Sequence, residues 1–363
     1  MQIFEEIKAK NIDFKNRIIM PPMATAKADD KGRVTQDILD YYDEKTRDGM
    51  FSTVIVEHNF VDPLGKASHN QMSIADDSSI EGLKKLANLI KDNGSKAVVQ
   101  INHAGSAARE KIIGQRPVGP SEIKNPSQKD TELPRELTIE EIKEIEDKFA
   151  DAALRVKEAG FDGVEIHSAH GYLLNQFLSP LTNQREDEYG GDIKGRIKIH
   201  LEIIKKVREK VGEDYPIFLR LGAGDGKEAG LSQKDAVYAA KAFERAGVDV
   251  LDISGGMCLY FSDDDYPGFF DYLSKPIYEE VNIPVILTGG VKSGKDIEDI
   301  LERNVCDLVG VGRAVFKDSD WMVDELGPLI KWWDIQIAYK YKNLQGKHKT
   351  ASFFYAKISR ETH

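Results

Sequence analysis

His167-Ser-Ala-His170-Gly-Tyr172 places two imidazoles three residues apart and a phenol two residues further on. A neutral imidazole offers one N–H donor, so such a pair can donate two hydrogen bonds to one oxygen, and a positioned tyrosine hydroxyl can deliver a proton. The pair could instead begin a metal site, or be two packed or capping histidines. No nearby carboxylate or thiolate pattern completes a metal-ligand set, so no metal is expected. Gln100 and His103 stand at the end of another apolar run. Arg220 follows three apolar residues in IFLRLGAGD. A guanidinium buried there needs an anion or an electron-rich partner. Leu287-Thr288-Gly289-Gly290 and Gly310-Val311-Gly312-Arg313 combine glycines, whose N–H groups can cradle phosphate, with a charged fork. Pro21-Pro22-Met23-Ala24-Thr25 fixes the chain path and bares carbonyls without donors, or is simply a rigid turn.

These residues share a setting. Arg17–Met23, Phe51–Glu57, Lys96–Ile101, Gly163–His167, Ile217–Leu221, Val248–Ile253, Pro284–Thr288 and Asp307–Val311 are short, nearly continuous apolar runs. Parallel strands covered by helices lose the polar alternation of an exposed sheet, so each run is expected to be a buried strand. Amphipathic helices are expected between them. Ser78 with Glu81 and Thr138 with Glu141 match a capping box at a helix start; Ser232 with Asp235 and Ser293 with Asp296 are weaker versions. Gly94, Gly160, Gly212 and Gly247 stand where helices should stop. Eight strand–helix units fit a closed (β/α)8 TIM barrel, with a doubly wound sheet as the other arrangement. In a barrel the histidines, Gln100 and Arg220 lie at strand ends on the catalytic face. The glycine pairs then end strands seven and eight, where barrels commonly bind phosphate.

The chain has 363 residues and a formal net charge of −11, which argues against nucleic acid as a partner. Its cysteines are Cys258 and Cys306, too few for a disulfide framework, a four-thiolate zinc site or an all-cysteine iron–sulfur cluster. No signal peptide or membrane span is expected, and a cytoplasmic enzyme is. Residues 1–320 are read as the barrel, with an excursion at about 102–137 placed to be a lid or substrate loop. Residues 321–363 are read as an extension packed on the barrel or on a partner subunit of a homo-oligomer. No GxGxxG follows a strand, so a Rossmann domain for a nicotinamide cofactor is not expected.

NRIIMPPMA, QINHAG, GFDGVEIHSAHGYLLNQFLSPLTNQREDEYGG, PVILTGG and LVGVGRA follow in that order. Together they resemble the Old Yellow Enzyme family of FMN-dependent ene-reductases, or NADH:flavin oxidoreductases, over roughly Ile3 to Asp320. The resemblance implies an FMN-binding (β/α)8 barrel. NADH or NADPH reduces the flavin and leaves; an α,β-unsaturated carbonyl compound then enters the same site. Pro21, Pro22, Met23 and Ala24 would lie along the isoalloxazine, Gln100 would bond its pyrimidine edge, and Arg220 would stabilise the anionic reduced flavin. Gly289, Gly290, Gly312 and Arg313 would hold the phosphate. His167 and His170 would bond the substrate oxygen, and Tyr172 would protonate the α carbon as hydride from flavin N5 attacks the β carbon.

Three positions depart from the family. Ala24 replaces a common Cys or Thr that bonds the flavin, and Ala26 replaces a substrate-lining Tyr of one bacterial subgroup. His58 replaces a small residue beside the flavin, where it could bond O4, narrow the pocket or turn aside. These departures keep open another FMN reaction on this barrel, demethylation or dehydrogenation of a ring substrate. The dienoyl-CoA reductase branch carries a four-cysteine cluster motif and a dinucleotide domain. With neither here, the expectation is a barrel-only form reduced directly by the nicotinamide cofactor.

Overall fold

The computed structural model describes residues 1–262 and 264–330. Eight parallel strands close into a barrel. They are β1 (Ile18–Met20), β2 (Thr53–Phe60), β3 (Lys96–Asn102), β4 (Gly163–Ser168), β5 (Ile217–Gly222), β6 (Val250–Ser254), β7 (Val285–Thr288) and β8 (Leu308–Gly310). Each expected strand is present, in ring order, and the doubly wound alternative is set aside. The last strand meets the first through Val309 opposite Ile18 and Gly310 opposite Ile19. Helices α1 (Gln36–Thr46), α2 (Ile80–Asp92), α3 (Ile139–Glu158), α4 (Lys198–Val211), α5 (Gln233–Ala246), α6 (Asp271–Tyr278) and α7 (Gly294–Glu302) follow strands one to seven in turn.

Strand period sorts the interior into layers. Ile19, Ile55, Val98, Phe218, Val250, Ile286 and Leu308 form one apolar cluster with Ile12 and Phe14. Those two belong to an N-terminal segment in which Ile7–Lys8 pairs antiparallel with Asp13–Phe14, and Phe14 meets Phe218 edge-on at 6.4 Å. Two residues further along, the inward positions of β2 to β7 are polar: Glu57, Gln100, Glu165, Arg220, Asp252 and Thr288. The outer faces of the same strands, such as Val164, Ile166, Leu219 and Leu221, join the larger core under the helices.

Strand and helix ends differ from expectation where side chains compete. The first strand stops at Met20, because Pro21 and Pro22 have no N–H for the ladder. The second runs on to Phe60, so Glu57 and His58 lie within it. Ser78 forms no capping box. Asp76 accepts from Ser78 N at 2.9 Å and starts a short 3-10 turn before α2. Both bonds of the box form at Thr138–Glu141, and also at Ser293–Asp296. Thr138→Ala should therefore lower stability by about 1 kcal/mol, read as a shift of the urea midpoint at unchanged slope.

The excursion after β3 is held down rather than free. Its segments Val118–Gly119 and Arg135–Glu136 pair, and Arg185 Nη1 donates to Pro120 O and Leu137 O at 3.0 and 2.7 Å. Asn125 Nδ2 donates to Gly171 O at 2.7 Å, which docks the excursion on the loop after β4. Residues 321–330 are helical, and Trp321, Met322 and Leu326 are buried in the barrel's outer core. The rest of the expected C-terminal extension, 331–363, lies outside the described residues. Among the described residues no helix is long and apolar enough to cross a membrane.

Candidate active site

The loop after β4 turns sharply because His170 and Gly171 both take positive φ, +58° and +69°. For histidine this backbone is strained. It is held by His170 N donating to Gly255 O at 3.2 Å and by Gly171 N donating to Asn175 Oδ1 at 2.8 Å. The turn brings the His170 ring to 5.1 Å from His167, and the Tyr172 ring also lies 5.1 Å from His167. His58 completes the group, 5.5 Å from Tyr172 and 6.4 Å from His167. It points into the site and does not turn aside.

Hydrogen bonds fix how these rings present their nitrogens. Gln71 Oε1 accepts from Ala67 N, which orients the amide, so Gln71 Nε2 is a donor 2.8 Å from His58 Nδ1. His58 Nδ1 must then accept, and its proton sits on Nε2. His170 Nε2 is 2.8 Å from Ser254 Oγ. His167 Nδ1 is buried without a partner. Among the described residues the Tyr172 hydroxyl has no hydrogen-bond partner either. Burial holds all three imidazoles neutral. His58 falls to about 4 with Arg220 adding to the effect, and His167 and His170 lie well below the ordinary histidine range beside the same guanidinium. Burial also raises Tyr172 to about 12. The site can donate protons in hydrogen bonds without carrying imidazolium charge.

Beneath the rings, Gln100 Nε2 donates to Glu165 Oε2 at 2.6 Å, and Arg220 Nε stands 3.1 Å from Asp252 Oδ2. His167, Arg220 and Asp252 are cross-strand neighbours on β4, β5 and β6. Across the barrel mouth, Gly312 packs on Pro21 and Met23, so the ends of β8 and β1 form one ledge. Gly290 adopts φ +71°, and a Cβ at Gly310 would collide with Thr288 Oγ1, itself buried and unpartnered. Arg313 makes no ion pair among the described residues; its guanidinium lies 5.8 Å over the Phe269 ring. Orphaned polar atoms, a glycine ledge and an unpaired arginine on one rim fit a polar, phosphorylated ring cofactor.

His103, Ala24 and Ala26 take no part in the ring cluster. His103 is buried against Gly65, and its Nδ1 accepts from Gly105 N at 3.0 Å; it makes no ring contact with His167. Ala24 and Ala26 are exposed, and Ala26 takes φ +55°. The adjacent hydroxyl does not replace the donor lost at Ala24. Thr25 is committed to Glu57, its Oγ1 donating at 2.6 Å and its N at 2.8 Å. Sequence reading missed Ser254, Glu165, Asp252, Gln71 and Tyr260. Asp252 and Ser254 follow Val250 at the strand period, a signal that could have exposed them. Tyr260 lies 5.7 Å from His170 at its ring and, tilted by 40°, 4.3 Å from Phe261, both half-exposed.

A family model described as NADH:flavin oxidoreductase / NADH oxidase matches residues 2–324. An NADH oxidase of Thermoanaerobacter brockii is 41% identical over 326 residues, covering 88% of this chain and 50% of that protein. Among solved structures, a 2-naphthoyl-CoA reductase bound to 2-naphthoyl-CoA superposes with TM-score 0.84 at 28% identity, covering 90% of this chain and 52% of that one. Morphinone reductase bound to tetrahydroNAD gives TM-score 0.76 at 26% identity and covers 90% of both chains. The chain thus spans about half the length of two of these relatives.

Proposed function

Since the chain belongs to the NADH:flavin oxidoreductase / NADH oxidase family, we propose that its barrel binds FMN and, with NADH or NADPH, reduces the activated C=C bond of α,β-unsaturated carbonyl compounds. The observation that carries this reading is the cluster of neutral donors, His167, His170 and Tyr172, in which His167 is the cross-strand neighbour of the buried Arg220. Pro21, Pro22, Met23 and Ala24, with Gln100, His58 and Arg220, would hold the ring system, and Gly289, Gly290, Gly312 and Arg313 the phosphate. Bound FMN supplies hydride chemistry that no side chain here can provide.

The protein's own part is polarisation and proton delivery. His167 and His170 donate to the substrate carbonyl oxygen and so draw electron density from the alkene. The neutral state matters: an imidazolium would be costly in this buried setting, while a neutral N–H bonds an oxygen that gains charge during the reaction. Ser254 keeps the His170 ring in place. Tyr172 holds the proton that the α carbon needs, and its free hydroxyl leaves that proton available. His58, with its Nε2–H fixed by Gln71, adds a fourth donor to the wall. Arg220 supplies a fixed positive charge to an electron-rich partner above it.

Phenol titration of the flavin-containing protein tests the site. His167→Ala or His170→Ala should weaken phenol and enone binding by roughly 1.5–3 kcal/mol, with FMN retention little changed. Full phenol binding in both variants would remove the two histidines from the substrate site.

A further inference from the structure

The buried layer under the site contains more acid than base. Gln100 on β3, Glu165 on β4, Arg220 on β5 and Asp252 on β6 all face the barrel interior, and none of the four is more than 5% exposed. One guanidinium therefore serves two carboxylates. Arg220 Nε lies 3.1 Å from Asp252 Oδ2, yet neither Asp252 oxygen receives a hydrogen bond. Glu165 Oε2 accepts from Gln100, and Glu165 Oε1 has no donor. Fully ionised, the three charged groups would sum to −1 in a dry interior; one retained proton makes the sum zero. The other titratable groups facing this layer cannot supply the missing charge. His167, His170 and His58 are neutral, and Glu57, raised to about 7 by burial while accepting from Thr25 N and Oγ1, is a further acid and brings no positive charge.

We propose that Glu165 carries this proton at neutral pH, and that by staying uncharged it leaves Arg220 balanced by Asp252 alone; Glu165 is thus a positioning residue for the flavin's electrostatics. The proposal rests on the flavin reading above. Burial and the Asp252 charge together raise the Glu165 carboxyl to about 8, while Asp252, closer to Arg220, rises only to about 6. The order of the two groups agrees with the geometry. Removal of the proton places a second negative charge under the ring. An anionic reduced flavin is disfavoured by that charge, so reduction should draw the proton back onto Glu165.

The test uses the purified flavoprotein, in which visible absorbance confirms bound FMN. The midpoint potential is measured on either side of pH 8 for wild type, Glu165→Gln and Glu165→Asp. The wild-type potential should fall more steeply with pH than that of Glu165→Gln, which has no proton to lose there. Glu165→Asp, which keeps an acid, should restore the steeper fall. Infrared spectra in water and heavy water at neutral pH should show one protonated-carboxyl signal fewer in Glu165→Gln. Equal pH slopes in wild type and Glu165→Gln, or an unchanged carboxyl signal, would overturn the assignment. A protein that binds no FMN would instead refute the flavin reading, and the infrared comparison would still locate the proton.

Discussion

Tyr172→Phe should slow hydride transfer from reduced flavin to a simple enone by about 10²–10⁴, the usual worth of a positioned general acid, and leave reduction of the flavin by NADH or NADPH near wild type. The substitution keeps the ring that packs 5.1 Å from His167 and 5.5 Å from His58 and removes only a hydroxyl without a partner among the described residues. No buried group loses a hydrogen bond, so the fold should be unaffected. A tyrosine raised to about 12 is a weak acid, suited to protonating a carbanion-like α carbon rather than to standing ionised. A nitroalkene, whose anion tolerates late protonation, should suffer less. Stopped-flow traces of the two half-reactions decide the matter. Equal slowing of both would indicate a general defect, and no slowing of either would mean that water or another side chain supplies the proton.

Arg220→Met should have the largest effect on stability. It removes the cation paired with Asp252 and leaves that carboxylate, beside a protonated Glu165, without compensation. Breaking a buried pair from one side costs about 3–5 kcal/mol. The loss should depend on pH in a defined direction. Asp252 and Glu165 rise to about 6 and about 8 beside the wild-type arginine, and without it both hold protons to higher pH. Below pH 6 both acids are protonated and the variant should approach wild-type stability; the gap opens as pH rises through these values. Urea unfolding at acidic and alkaline pH measures it. With FMN bound, the variant should also show a lower midpoint potential and slower reduction, since a fixed positive charge is gone. An unchanged potential would sever Arg220 from the flavin.

The fold was legible because fully buried parallel strands advertise themselves as apolar runs, and Gly94, Gly160, Gly212 and Gly247 mark helix ends with positive φ. The histidine–tyrosine loop was legible because short spacing on one loop survives folding. His103 could be placed at a strand end by sequence but not given a role. It shares a strand end with Gln100, but its ring packs against Gly65, a contact that no local pattern reports. The acids Glu165 and Asp252 lay hidden inside apolar strands. Their meaning depends on cross-strand register with Arg220, a property of the sheet rather than of either segment. Ser78 shows the limit of motif reading at helix starts, where Asp76, a stronger acceptor two residues earlier, took the N–H first.

The shortest strands of the barrel are the ones that close it. β1 and β8 have three residues each and meet through only two cross-strand pairs, while the N-terminal Gln2 N and Ile3 N donate to Glu298 from the far end of the chain. Both joints of β1 are thin, two pairs to β8 and two to β2, and the first brings together residues from the two ends of the barrel sequence, the kind of contact that forms late. The ledge of Pro21, Met23, Gly312 and Arg313 straddles that same joint. A molecule gripping both sides binds only the closed hoop, so mass action ties occupancy to closure. An emptied ledge loosens the ring, and an opened ring has no ledge. On the proposed reading, the cofactor's berth is also the barrel's clasp.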